Sequence, residues 1–282
     1  MAHAARLPEL SEHAAGPGAA AIYGEIKACC RVPMVALIYR YLATHEGVLE
    51  WGWRVLAPAM RSGALSAAAH KASATPLDIA VPPLNLDAAQ ALGLKEMDLA
   101  AIAYIATAYN TANPHNIIAV RVLMNLLASD APRGNAEIDP GTPVAPVHFS
   151  ALPPLVQLED MASALAEQLG RLRVADDDGS RGIVPTLYRH LAHWPDYLMA
   201  AAAALEPLFQ NGAIATAAAE IAQAADDEAA RLGSEMAVHD LAEGRPTGAA
   251  RENLLATLGA FAATIPEMIT VGRLMSGALL RD

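Results

Sequence analysis

Three asparagines, Asn110, Asn113 and Asn116, stand three apart in an otherwise apolar segment, so they share one face if that segment is helical. An amide in a core costs on the order of 1–3 kcal/mol unless it is paired, so three in a row call for a shared purpose. They either brace the chain around Pro114 or aim donors at a carboxylate or a water. His115 and Glu267 occupy matching places in the two halves of the chain and invite an acid–base reading. Both lie two residues beyond the Asn113 position, about 200° around a helix, and therefore leave its face. His190 and His193 are one turn apart, and Glu235 precedes His239 by four, but no further residue supplies a third or fourth metal ligand. The Asp176–Asp178 run lacks the alternating oxygens and terminal glutamate of a calcium loop. With no phosphate-cradling glycine motif and no Gly-x-Ser-x-Gly elbow, nucleotide chemistry and serine hydrolysis find no support.

The elements that would position these residues repeat. Tyr39-Arg40-Tyr41-Leu42-Ala43 leads to Leu49, Leu56 and Pro58, and Tyr188-Arg189-His190-Leu191-Ala192 leads to Leu198, Leu205 and Pro207 with every spacing kept. Asn113-Pro114-His115-Asn116-Ile117 followed by Arg121 is answered by Ile265-Pro266-Glu267-Met268-Ile269 followed by Arg273. Apolar residues recur at three and four positions in the windows 19–30, 34–61, 97–129, 155–172, 183–210, 213–242 and 250–280, and no window alternates. The expectation is an all-α fold of two tandem helical repeats, 1–130 and 155–282, joined by a Pro/Gly-rich linker, 131–154, and packed about a pseudo-twofold axis. A second proline-rich loop is expected from Ser73 to Leu86. Pro114 and Pro266 sit inside apolar helices, where a proline usually kinks or breaks the helix. Such breaks would lie near the axis and open a ligand cavity.

Composition bounds the partners. The 282 residues are 54% hydrophobic and 5% aromatic, which supplies a large core and favours closely packed helices. A formal charge of −11 argues against a nucleic-acid or anionic-membrane surface. The stretch from Leu254 is broken by Glu267 and Arg273 and reads as a buried helix. Residues 1–24 lack the unbroken apolar core of a signal peptide, so a cytoplasmic protein is expected. Adjacent Cys29 and Cys30 read as reduced, packed thiols.

Tyr23 to Lys27 with Arg31-Val32-Pro33, then Leu42-Ala43, Tyr109-Asn110 with Asn113-Pro114, and Leu191-Ala192 with Trp194-Pro195 resemble the group I 2-haloacid dehalogenases. The resemblance runs from about residue 7 to 280 and includes that family's internal duplication. It implies an all-helical pseudo-dimer that hydrolyses small 2-halocarboxylic acids. In such proteins an aspartate activates water for direct displacement of halide, with no metal or organic cofactor. Carried over by position, Asn113 is the asparagine that holds water and substrate, Asn110 is matched, and Thr186 keeps the neighbouring hydroxyl. The catalytic aspartate should directly precede Tyr188, where this chain has Leu187. Met34 replaces an aromatic pocket residue, and Ala262 a tyrosine.

The repeat provides a second route to the same map. Met34, Leu37 and Ile38 mirror Ile183, Thr186 and Leu187, while Asn110, Asn113 and Ile117 mirror Ala262, Ile265 and Ile269. Facing one another, these stripes would enclose an apolar cavity whose polar groups are asparagine and threonine, without a carboxylate. Asp178 and Asp196 are the nearest substitutes, and neither has the right helical phase. Two functions are therefore expected. One is a dehalogenase-like enzyme acting on a small 2-substituted carboxylic acid, its hydrolysis altered or lost. The other is a non-catalytic paralogue that holds a small apolar ligand. The sequence is compatible with a homo-oligomer.

Overall fold

Alanine does much of the packing in this protein. Leu65, Ala68, Ala69 and Ala72 follow the i, i+3, i+4, i+7 rule of a buried helix face, and all four are buried. Their helix is absent from the apolar windows because small side chains carry little periodic signal. It is one of eleven α-helices in the computed structural model, which describes residues 7–84, 86–128, 141–172, 184–235 and 243–279. In chain order these are α1 (Pro17–Cys30), α2 (Leu37–Leu42), α3 (Val48–Arg61), α4 (Ala64–Ser73), α5 (Leu86–Ala91) and α6 (Glu96–Leu127). There follow α7 (Ser163–Gly170), α8 (Thr186–Leu191), α9 (Pro195–Gln210), α10 (Ala213–Glu235) and α11 (Gly248–Leu279). No strand occurs among the described residues, so the fold is all-α.

Two expected windows each divide into a short helix and a longer one. Window 34–61 becomes α2 and α3, because Gly47 takes the left-handed conformation at φ 72° and starts a new helix. Window 183–210 becomes α8 and α9, the latter beginning at Pro195, whose fixed φ suits a first helical turn. The loop expected from Ser73 to Leu86 carries the last residue of α4 and the first of α5 at its ends. Of the expected linker, residues 141–154 are non-helical, and 131–140 lie outside the described residues.

The expected proline breaks do not occur. Both α6 and α11 are 32 residues long, and Pro114 and Pro266 each fall eighteen residues after the helix start without interrupting it. The missing N–H groups would have served the carbonyls four residues earlier, those of Asn110 and Ala262.

The prolines mark the place where each long helix passes from one apolar core to another. One core gathers α1–α4 with the later part of α6, including Ile117, Ile118 and Leu123, and with Leu254, Leu258, Ala262, Ile265 and Ile269 of α11. The second gathers α7–α9 with Ile102, Ile105 and Tyr109 of α6 and with Met268, Val271, Leu274 and Met275 of α11. Each core thus draws on both halves of the chain. By length and hydropathy α11 would suffice to cross a membrane, but half of its most apolar window is buried within the protein. Polar contacts follow the same exchange. Tyr41 of α2 hydrogen-bonds Thr257 of α11 (3.1 Å), and His190 of α8 hydrogen-bonds Tyr109 of α6 (2.8 Å). The last carbonyls of α6 accept from Arg245 and Arg251, on the loop before α11 and on α11 itself, cations that suit a helix C-terminus.

Candidate active site

The three asparagines, legible as a set in the sequence, have three different surroundings. Asn110 donates through Nδ2 to the Gly272 carbonyl (3.0 Å) and to Ser276 Oγ (2.7 Å), which ties α6 to α11. Its Oδ1 is buried over Gly272, so close that a Cβ there would meet it at 2.3 Å. Asn116 is buried. Asn113 is partly exposed, and its amide meets no hydrogen-bond partner among the described residues. Asn116 likewise meets no hydrogen-bond partner among the described residues, and Asn113 is the more exposed of the two, the one better placed to meet a ligand or water.

His115 turns away from this face to α4. Its Nδ1–H donates to the Thr111 carbonyl (2.7 Å), which leaves Nε2 to accept from Ser66 Oγ (3.0 Å). Burial lowers its pKa, the Thr111 bond opposing. Both ring nitrogens are engaged, Nδ1 within α6 and Nε2 with α4, which leaves neither for an acid–base role.

On α8, Thr186 is the first helical residue and partly exposed, while Leu187 beside it is only 1% exposed. Leu187 packs in the second core with Tyr109, Tyr188, Leu191 and Leu198. Almost none of its surface is open to solvent. Asp196 is exposed at the start of α9, and Asp178 lies outside the described residues, as does Ile183. Ile38, Ile117, Ala262, Ile265 and Ile269 are buried in the first core. Met34 and Leu37 are partly exposed, and Met34, on the segment between α1 and α2, packs against both cores. Helix α6 packs against both α8 and α11, and the expected site residues divide between the two cores, Leu187 in the second and Ile38, Ile117, Ala262, Ile265 and Ile269 in the first.

Two residues outside the expected site stand out at the junction of α6 and α8. Tyr109 Oη is 2.8 Å from His190 Nδ1, and the Thr186 hydroxyl is near enough to favour the ionised form of the same phenol. The Pro153 carbonyl acts on His190 as well, favouring its charged form. Burial lifts Tyr109 to about 12, with the Thr186 hydroxyl and the fields of Arg40 and Arg189 opposing. Burial likewise drops His190 to about 4, opposed by the Pro153 carbonyl and reinforced by the positive fields of His193, Arg189 and Arg40. At neutral pH the pair is a neutral phenol and a neutral imidazole. The sequence carried a signal for this group, since Thr186 and His190 are four apart on one helix face. Pairing His190 with His193 as metal-like spacing obscured it.

No protein-family model matches the chain. Over 202 residues it is 29% identical to a configuration-inverting 2-haloacid dehalogenase of Alcaligenes xylosoxydans xylosoxydans, covering 70% of this chain and 68% of that protein. The chain is homologous to that dehalogenase. Among solved structures, a D-2-haloacid dehalogenase mutant superposes with a TM-score of 0.73 at 18% identity, covering 98% of this chain and 97% of the other. A complex of a D-2-haloacid dehalogenase mutant with D-2-CPA gives 0.69 at 17% identity, covering 96% of each chain. These structures share the fold.

Proposed function

We propose that this homologue of a 2-haloacid dehalogenase binds a small 2-substituted carboxylic acid where α6, α8 and α11 meet, with hydrolytic dehalogenation altered by the replacement of the water-activating carboxylate with Leu187. The observation that carries the reading is the partly exposed Asn113 amide, without a hydrogen-bond partner among the described residues, on a long core helix. An amide held on a rigid helix offers both a donor and an acceptor to a carboxylate or to water. Arg40 and Arg189 extend positive fields to the nearby Tyr109 and His190, which favours an anionic ligand there. The expected pseudo-twofold packing belongs to this proposal. It is supported by the equal length and matched prolines of α6 and α11 and by the reciprocal bonds Tyr41–Thr257 and Tyr109–His190.

In this reading Asn113 touches the ligand and Thr186 lies beside it, with Met34 and Leu37 as further apolar contacts. Without a carboxylate general base, displacement loses a factor on the order of 10²–10⁴. The test is halide release from each enantiomer of 2-chloropropionate by the wild type and by Leu187→Asp. The wild type is expected to be slow, and Leu187→Asp to gain only modestly, because burial raises the pKa of the new carboxylate. A wild type as fast as an assayed aspartate-bearing dehalogenase would overturn the assignment of Leu187. The enclosure of Leu187 in apolar neighbours also favours a second reading, a non-catalytic holder of a small apolar ligand. Binding of 2-chloropropionate without any turnover would decide for it.

A further inference from the structure

We infer that the cavity between the α2–α3 turn and the start of α11 is a second binding site, one that takes a small arylacetic acid. The cavity measures about 410 Å³, within the range of small-molecule sites. His45 and Glu46 line it on one side, and Arg245, Thr247, Ala250 and Leu254 on the other. None of these residues belongs to the site proposed around Asn113, so the two sites stand or fall separately.

The other half of the chain shows what fits such a space, because there it is full. With Tyr39 set on Tyr188, His45 falls on Trp194. Helices α6 and α11 are both 32 residues long, and counting from their first residues sets Ala250 on Asp98 and Thr247 on Lys95. Trp194 covers the start of α6: its indole N–H donates to Asp98 Oδ1 at 2.9 Å, and its ring packs against the second core, as does Leu94. Asp98 Oδ2 in turn accepts from the Lys95 backbone N–H at 2.9 Å and so caps the helix. The matching positions in the first half hold an imidazole and a methyl group. A smaller ring in place of an indole, and a methyl in place of a carboxylate, leave volume unfilled beside the helix start, and the cavity lies there.

One molecule can supply both missing pieces. An aromatic ring in the place of the indole lies against Val48, Pro246 and Leu254, all buried. A carboxylate in the place of Asp98 accepts from the Thr247 backbone N–H, to which no side chain bonds among the described residues. A bare helix start attracts an anion only weakly. Here the Arg245 guanidinium, 6% exposed and donating to the Leu126 carbonyl at 2.9 Å, adds a full positive charge to the wall. Glu46 opposes it, but Glu46 is exposed and water screens its charge. A single methylene between ring and carboxyl carbon sets the oxygens about as far from the ring as Asp98 Oδ1 stands from the indole, which selects an arylacetate. His45, Thr247 and Ala250 are exposed, so the cavity opens to solvent.

The test is calorimetric titration of the full chain with 1-naphthylacetate, whose bicyclic ring is close in size to an indole. The wild type is expected to bind it, and about tenfold more tightly than neutral 1-naphthylacetamide. His45→Trp fills the cavity as Trp194 fills its counterpart, and Ala250→Asp supplies the carboxylate. Each should weaken 1-naphthylacetate binding about tenfold or more, and both lie at exposed positions where the change leaves the fold intact, as thermal unfolding would check. Asn113→Ala should bind 1-naphthylacetate as the wild type does. No binding by the wild type at millimolar ligand, unchanged affinity in either cavity variant, or equal affinity for the acid and the amide would overturn the site. Loss of binding in Asn113→Ala would overturn it too, because the probe would then occupy the site around Asn113, which 2-chloropropionate tests on its own.

Discussion

Gly272 is the position where the two long helices approach too closely for any side chain, and replacing it by alanine should destabilise a helix that alanine ordinarily favours. In an exposed helix the change would gain about 1 kcal/mol. Here the new Cβ would sit 2.3 Å from Asn110 Oδ1 and 3.3 Å from its Cγ. The amide can swing away only by giving up its bonds to the Gly272 carbonyl and Ser276, each worth about 0.5–1.5 kcal/mol, and overpacking adds about 1–3 kcal/mol. The net is a loss of about 1–5 kcal/mol, a fall of several degrees or more in Tm at ~2–4 °C per kcal/mol. Thermal unfolding of Gly272→Ala should be read beside Gly259→Ala, whose Cβ would meet nothing within 4 Å and which should be neutral or stabilising. The double variant Gly272→Ala with Asn110→Ala should recover part of the loss, since the clash is gone. A Gly272→Ala protein as stable as Gly259→Ala would refute the close contact between α6 and α11.

His190 makes stability depend on pH. Its folded value near 4 lies below the ordinary 6.5, so the unfolded chain binds the extra proton, and its contribution is complete above about pH 6.5 and lost as pH falls toward 4. Urea unfolding should show the wild type losing up to about 2–3 kcal/mol more than His190→Gln between pH 7 and 4; equal losses would contradict this. Burial raises Cys29 to about 11 and Cys30 to about 12, so neither thiol should react with iodoacetamide at pH 7.5 until urea unfolds the chain. Rapid alkylation of both thiols in the folded protein would contradict the burial of Cys30 and the raised pKa of partly exposed Cys29. Leu187→Asp should cost several kcal/mol at neutral pH by placing a carboxylate among Tyr188, Leu191 and Leu198, and unfolding curves unchanged from wild type would show that water reaches the site.

Helical periodicity made the long elements legible, because α6 and α11 expose their apolar faces to cores at both ends. It missed α4, whose buried face is mostly alanine, and it ran α2 into α3 because Gly47 interrupts the helix through φ rather than through polarity. The prolines misled for a related reason. Removing one backbone bond tends to break a lone helix, yet a helix packed into a core on either side of the proline keeps its course. At the site, spacing singled out the asparagines but not their separate fates, since what divides Asn110 from Asn113 is the approach of Gly272 from a helix about 160 residues away. The Tyr109–His190 bond is likewise a long-range contact, visible in sequence only as the four-residue step from Thr186 to His190.

The most direct measurement is an isothermal titration of the full chain with 2-chloropropionate, wild type against Asn113→Ala. If Asn113 holds the ligand, the wild type binds it and Asn113→Ala binds at least tenfold more weakly, while their ligand-free Tm values agree because the amide has no partner among the described residues to lose. Equal affinity in the two proteins, or no binding by the wild type at millimolar ligand, would contradict the site.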